Sequence, residues 1–279
     1  MRVAIRTDFL GNDIDRIAEY ASVLAVRDVC SFPEARECYD DTGSVEMVRL
    51  QRYQSRFLEN GLAVRLLTET IDGEVVTSVD SAEIKAKALC RTIETMGKAG
   101  VDALFLLLNI PASEDVRARE DQWEHLIQVY REIVPCAEEA GVRIATHGHQ
   151  FTQFLVWDYD GMSRILEAVP SEYNGVTFCT GCYQLAGDDL YETIRRFGSR
   201  IFFVHVRDVI RKPDGFEEVL FGQGEVDVFG VLKQLRDIGY DGLVCPEHLP
   251  RVSYESYEEI SAAWGLGYLV SAISRLEGG

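Results

Sequence analysis

The chain has 279 residues, with 28 Lys and Arg against 46 Asp and Glu, a formal charge of −18. Nucleic acids and anionic membranes are bound by Lys and Arg that displace counterions from phosphates, so a chain this acidic is expected to bind neither. With 47% apolar and 27% charged residues and no apolar run of membrane-spanning length, the composition is that of a folded soluble protein.

The first strand is predicted over residues 3–7, inside a start (Met-Arg-Val-Ala-Ile-Arg-Thr-Asp) that Arg2, Arg6 and Asp8 interrupt. That charge pattern lacks the apolar core of a signal peptide, so a cytoplasmic location is expected. Further Val-, Ile-, Leu- and Phe-rich runs follow at 26–30, 63–69, 103–109, 143–149, 176–180, 201–208 and 242–248, making eight strands. Helical spacing lies between them, as in 122–140 (Leu126, Ile127, Tyr130, Ile133, Val134, Ala137) and 227–238 (Val228, Val231, Leu232, Leu235). Gly61, Gly100, Gly141 and Gly242 precede strands three, four, five and eight, where glycine suits a left-handed helix cap. A last helix over 256–275 serves as barrel cover or as an interface between copies of the chain. Seven cysteines, an odd number in a chain too large to need covalent staples, suit thiols in a reducing compartment.

Strands apolar on both faces and separated by helices imply parallel pairing with crossovers, and eight such units are the arithmetic of one closed (β/α)8 barrel domain over residues 1–279. An open doubly wound sheet is the alternative. However, no glycine-rich phosphate loop follows the first strand, where Arg-Thr-Asp-Phe-Leu-Gly stands.

Barrel chemistry sits at the C-terminal ends of the strands. Four of the five histidines, His147, His149, His205 and His248, fall there, and only His125 lies on a helix. His147, Cys179, His205 and Glu247 end four successive strands, and imidazole, thiolate and carboxylate all bind divalent cations. Phe203, His205 and Arg207 share one strand face, as do Cys245 and Glu247. His147 and His149 also share a face, so either suits the ligand role, with His147 deeper. Cys179 and Cys182 form a CxxC whose spacing also fits a redox pair. Arg6, Asp8, Glu69, Asn109 and Arg207 at other strand ends give a lining for a hydroxylated anion, Arg207 clamping a carboxylate through its planar fork.

Two segments, Asn-Gly-Val-Thr-Phe-Cys-Thr-Gly-Cys-Tyr at 174–183 and Ile-Arg-Arg-Phe-Gly-Ser-Arg-Ile-Phe-Phe-Val-His-Val-Arg-Asp-Val at 194–209, resemble the mannonate dehydratases, as does Gly-Glu-Val-Asp-Val at 224–228. The resemblance implies a metal-dependent xylose isomerase-like barrel that dehydrates a sugar acid such as D-mannonate to a 2-keto-3-deoxy acid. It places the metal-binding Cys on Cys179 and the histidines on His205 and His147. The family's last strand carries Asp in Arg-Pro-Asp-His-Gly, whereas Glu247 stands in Cys-Pro-Glu-His-Leu here. A Glu at this place is the habit of the related sugar isomerases and epimerases, so ketose isomerisation or epimerisation is the second reading. Abasic-site endonuclease chemistry fits neither the charge nor the single ligand set, and a barrel that binds sugar without turnover is a fourth possibility. In the dehydratase reading Arg207 holds the carboxylate, with Arg6 and Asn109 also binding substrate. His248 is the acid/base with His149 as its substitute, and Glu69 carries more weight in the isomerase scheme. Ligand chemistry alone suits Zn²⁺ and the resemblance implies Mn²⁺, with Fe²⁺ and Co²⁺ as alternatives. The expected partner is a small sugar acid or ketose, and a homo-oligomer is possible.

Overall fold

In the computed structural model, which describes residues 1–32, 36–250 and 257–278, all eight apolar runs become strands. In chain order the strands are β1 (Arg2–Arg6), β2 (Asp28–Cys30), β3 (Ala63–Asp72), β4 (Ala103–Asn109), β5 (Arg143–His147), β6 (Asn174–Cys179), β7 (Ile201–Val206), β8 (Asp208–Lys212), β9 (Gly215–Val219) and β10 (Leu243–Pro246). All but β8 and β9 form one closed parallel ring, in the order β1, β10, β7, β6, β5, β4, β3, β2. The ring shuts where Arg2 stands beside Leu243 and Ala4 beside Asp28. The chain folds as the expected (β/α)8 barrel.

Helices α1 (Ile14–Leu24), α2 (Met47–Leu58), α3 (Val79–Ala99), α4 (Val116–Ala140), α5 (Tyr159–Ala168), α6 (Thr180–Ala186), α7 (Leu190–Phe197), α8 (Val228–Asp237) and α9 (Tyr257–Glu277) supply the outer layer. Many start on a side chain that accepts an otherwise unpaired first-turn N–H: Asp13, Ser78, Asp115, Asp158, Asp189 and Asp227 all do so. The apolar stripe of α4, from Leu126 to Ala137, is buried as its spacing predicts, and so are Val228, Val231, Leu232 and Leu235 of α8. Gly61, Gly100 and Gly141 take the left-handed conformation. Before β10 that conformation belongs to Gly239 (φ 79°) rather than Gly242, whose missing Cβ leaves room for the Tyr240 ring. The start of the last helix as read from sequence, Ser256, lies outside the described residues.

Two features depart from the sequence reading. The seventh run does not continue to Asp208. It stops at Val206, and Asp208 opens an antiparallel β8–β9 hairpin that turns at Pro213 and Asp214. Second, Cys90 and Cys136, both expected as thiols, are joined in a disulfide between α3 and α4, while Cys30, Cys38, Cys179, Cys182 and Cys245 are free. No helix among the described residues is long and apolar enough to cross a membrane.

Alternation splits the core in two. Ala4, Cys30, Leu66, Ala103, Phe105, Ala145, Phe203, Leu243 and Cys245 fill the ring, and a larger apolar cluster lies between ring and helices. Phe105 forms the floor below the mouth, its ring 5.2 Å from that of His147 and 5.1 Å from that of His205.

Candidate active site

Four neighbouring strands, β5, β6, β7 and β10, bring His147, Cys179, His205 and Glu247 together. Register aligns Cys179 with His205 and His205 with Cys245, and Glu247 is the next residue of β10's chain to point inward. All four are buried, His205 completely. Cys179 Sγ donates to Glu247 Oε2 at 3.1 Å, His205 Nδ1 lies 2.9 Å from Oε1, and His147 Nε2 lies 3.8 Å from Oε2.

Despite this crowding, neither ring nitrogen of His147 or of His205 meets a partner at hydrogen-bond geometry. Buried polar atoms left this way are costly and uncommon. His147, His205 and Glu247 offer ligand atoms all within 4.8 Å of one another, and His147, Cys179 and Cys182 do the same. Imidazole nitrogens lacking partners, a thiol and a carboxylate are a donor set that fits a divalent cation.

Burial alone would raise the Glu247 carboxyl, but His205 and His147 hold it well below the ordinary carboxylate range. The two imidazoles diverge under that one charge. Burial disfavours a proton on both; Glu247 and Cys179 overcome it at His147, pushed up to about 10, whereas at His205 burial outweighs Glu247 and, with the charges of His147 and Arg6 beside it, takes the pKa down to about 4.

A cavity of about 540 Å³ opens over the cluster, lined by Arg6, Asp8, Thr68, Thr70, His147, His149, Gln150, Glu247 and His248 with Phe32, Phe105 and Leu107 as apolar wall. Arg6 lies over the Phe32 ring at 4.3 Å, bonds both oxygens of Asp8 at 3.1 and 2.7 Å, and reaches to 3.7 Å from Glu247. His149 stands beyond the end of β5 and stacks on Phe154, so His147 is the histidine that meets Glu247. His248 is exposed at the rim, 3.8 Å from Glu247, and its backbone holds the left-handed conformation at φ 44°. Its pKa is lowered, first because the crowded mouth keeps part of the water from its ring and then by Arg207, Arg6 and His147, against the pull of Glu247.

Three expected lining residues lie elsewhere. Glu69 is buried on the outward face of β3 against Lys85 of α3 at 2.9 Å, because alternation turns Thr68 and Thr70 inward instead. Asn109 shares the inward face of Phe105 and Leu107 but stands above the cavity at the exposed end of β4, donating to Asp72 at 2.7 Å. Arg207 follows the end of β7 and is buried away from the cavity lining. Its guanidinium grips Glu218 of β9 and comes within 3.8 Å of Cys182 Sγ. Burial would lower the Arg207 pKa, but Cys179, Cys182, Glu247 and Glu218 together raise it above its usual value.

Sequence reasoning missed Thr68, Thr70, Gln150, Glu218 and Asp208. The last is buried and accepts backbone N–H groups of Val209, Gly222, Gly224 and Val226, which ties the loop after the hairpin to the barrel mouth. This gives the Gly-Glu-Val-Asp-Val motif a structural reason: a Cβ at Gly224 would overlap the Asp208 carboxylate, and Asp227 caps α8.

The profile of the D-mannonate dehydratase (UxuA) family matches residues 64–278, a stretch that contains all four clustered side chains. The chain belongs to that family. Among curated mannonate dehydratases, that of Saccharophagus degradans is 40% identical over 119 residues, 40% of this chain and 30% of the relative. That of Streptococcus pneumoniae is 30% identical over 181 residues, 55% of this chain and 50% of the relative. The chain thus matches half or less of the length of these relatives. The crystal structure of mannonate dehydratase from Streptococcus suis superposes with a TM-score of 0.83 at 20% identity, covering 99% of this chain and 93% of that one. In this UxuA family member, Arg6 and Asp8 lie before the matched stretch.

Proposed function

We propose that this family member is a divalent-metal-dependent dehydratase, a carbon–oxygen lyase that removes water from a sugar acid such as D-mannonate and leaves a 2-keto-3-deoxy acid. The observation that carries the reading is the pair of buried histidines, His147 and His205, whose nitrogens have no hydrogen-bond partners beside Glu247 and Cys179 at the mouth of a family barrel. His147, Cys179, His205 and Glu247 would hold the cation, with Mn²⁺ proposed as its identity. When bound, the cation supplies Lewis-acid stabilisation of the negative charge that develops beside the substrate carboxylate.

The protein's own groups do the remaining work. Arg6, which lines the cavity, takes over the carboxylate contact first assigned to the buried Arg207, offering Nη1 because Asp8 holds its Nε and Nη2. Hydroxyls of Thr68 and Thr70 hydrogen-bond the sugar chain, and Phe32, Phe105 and Leu107 keep bulk water from one side of it. His149, pushed down to about 4 chiefly by burial, carries no proton at neutral pH and is free to accept one, as a weak base. His248 at the rim returns a proton to the leaving hydroxyl and exchanges it with solvent. A reducing cytoplasm would keep Cys179 available as a thiolate ligand.

The test is incubation with Mn²⁺ and a panel of hexonates and free ketoses, with products followed by mass. A product lighter than a hexonate by one water and carrying a 2-keto group is expected. Mass-unchanged isomers from a ketose would overturn the dehydratase reading in favour of isomerisation or epimerisation.

A further inference from the structure

We propose that the site has two alternative cation seats that share His147 and Cys179: one completed by His205 and Glu247 over the substrate cavity, the other by Cys182 behind it. The inference rests on the preceding reading of the first seat and adds what selects among cations there.

The second seat is built by local geometry. Cys179 ends β6 and stands at the N-terminus of α6, so Cys182, three residues on, returns its sulfur to the same side. Ligand atoms of His147, Cys179 and Cys182 all lie within 4.8 Å of one another, and all three residues are buried. Arg207 Nη1 at 3.8 Å and Gln150 Oε1 at 4.0 Å fix the Cys182 sulfur from the other side. Gly181 makes this possible, since a Cβ there would overlap the Arg207 stem.

Beside these sulfurs is a separate void of about 10 Å³, lined by His147, Cys179, Cys182 and Asp158 among others. That is room for one water-sized particle. Neither Glu247, Arg6 nor His248 lines it, although all three line the substrate cavity. A cation in the second seat therefore lies away from Glu247, Arg6 and His248, while His149 borders both spaces. The seats also differ in softness. Two thiolates and an imidazole favour thiophilic cations such as Zn²⁺ and Cd²⁺, while one thiolate, two imidazoles and a carboxylate make a harder set that is the better of the two for Mn²⁺. Sharing two ligands makes occupancy exclusive, so a thiophilic cation empties the productive seat and inhibits.

Metal-free protein titrated with Cd²⁺ and, separately, with Mn²⁺ tests this. The ultraviolet thiolate-to-cadmium charge-transfer band reports the sulfurs, and electron paramagnetic resonance reports bound Mn²⁺. In Cys182→Ser the cadmium band should fall by roughly half as one of two thiolates is lost, and Cd²⁺ affinity by at least about tenfold, while Mn²⁺ still binds. Glu247→Gln should lose Mn²⁺ and keep the cadmium band. A band unaffected by Cys182→Ser, or lost with Glu247→Gln, overturns the second seat, as does wild-type protein that gives no band. Failure of the dehydratase reading is a different result, namely absent Mn²⁺ signal or absent dehydration with the cadmium behaviour intact. Should Cys182→Ser misfold, alkylation of the wild type decides: Cd²⁺ must protect both Cys179 and Cys182, and protection of Cys179 alone overturns the proposal.

Discussion

His149 lies flat on Phe154, ring centroids 3.6 Å apart and planes 3° from parallel, and burial together with the charges of His147, Arg207 and His248 pushes its pKa down to about 4. The unfolded imidazole takes its proton near pH 6.5. Between those values the unfolded chain binds more protons, so this contribution to stability is full above about pH 6.5 and is lost as pH falls towards 4. Urea midpoints of metal-free wild type and His149→Gln, compared between about pH 7.5 and 5, should show the smaller acid loss in the variant; equal losses would refute the assignment. At the cation, His205→Ala removes a ligand that no other described side chain replaces, and Mn²⁺ binding should weaken by at least about tenfold, read by electron paramagnetic resonance. Retained affinity would exclude His205 from the seat. The same scale shows how far the site was legible. His147, Cys179, His205 and Glu247 could be found because rare ligand types recurred at strand ends, and inward alternation then brought them together. Glu69 misled because residue type was weighed before parity: counting outward from Leu66 turns Thr68 and Thr70 in and Glu69 out.

The β8–β9 hairpin is the element that pattern reading absorbed into strand seven and its following loop. Its signal was present, since Pro213-Asp214-Gly215 is a turn sequence between two runs that pair residue for residue. What no local pattern shows is its purpose, because Glu218 meets Arg207 only once the hairpin folds back over the barrel mouth. Arg207 is 1% exposed, so taking away its carboxylate leaves a buried guanidinium short of its counter-charge. Glu218→Ala is expected to cost about 3 kcal/mol in urea unfolding, at the low end for a broken buried pair because Cys182 remains a partner. A change below about 1 kcal/mol would place the pair among weak surface contacts. Gly181→Ala should act on the same guanidinium from α6, at about 1–3 kcal/mol for overpacking. Full stability in that variant would mean that the Arg207 stem has another path.

Across the whole molecule the eightfold alternation of strand and helix was readable because apolar runs of strand length recur between stretches of helical spacing, four of them after a left-handed glycine, whereas the covalent tie between α3 and α4 left no trace in cysteine spacing. Cys90 and Cys136 are 46 residues apart and meet only through helix packing. Thiol titration of the denatured, unreduced protein should find the five cysteines that are free here, against all seven after reduction. Finding seven at the outset would show that the bond does not form. Formed, it should add about 4 kcal/mol by limiting the unfolded chain, a difference that Cys90→Ser would reveal in urea. Ring closure has a consequence of another kind. Glu247 comes from the end of β10, which sits between β1 and β7 and shuts the barrel. On a ribosome, His147, Cys179 and His205 all emerge before that carboxylate exists. A growing chain can therefore display every soft ligand, Cys182 included, while its last hard one is still unmade, and the order of synthesis exposes the newborn barrel first to whichever thiophilic ion the cell leaves unguarded.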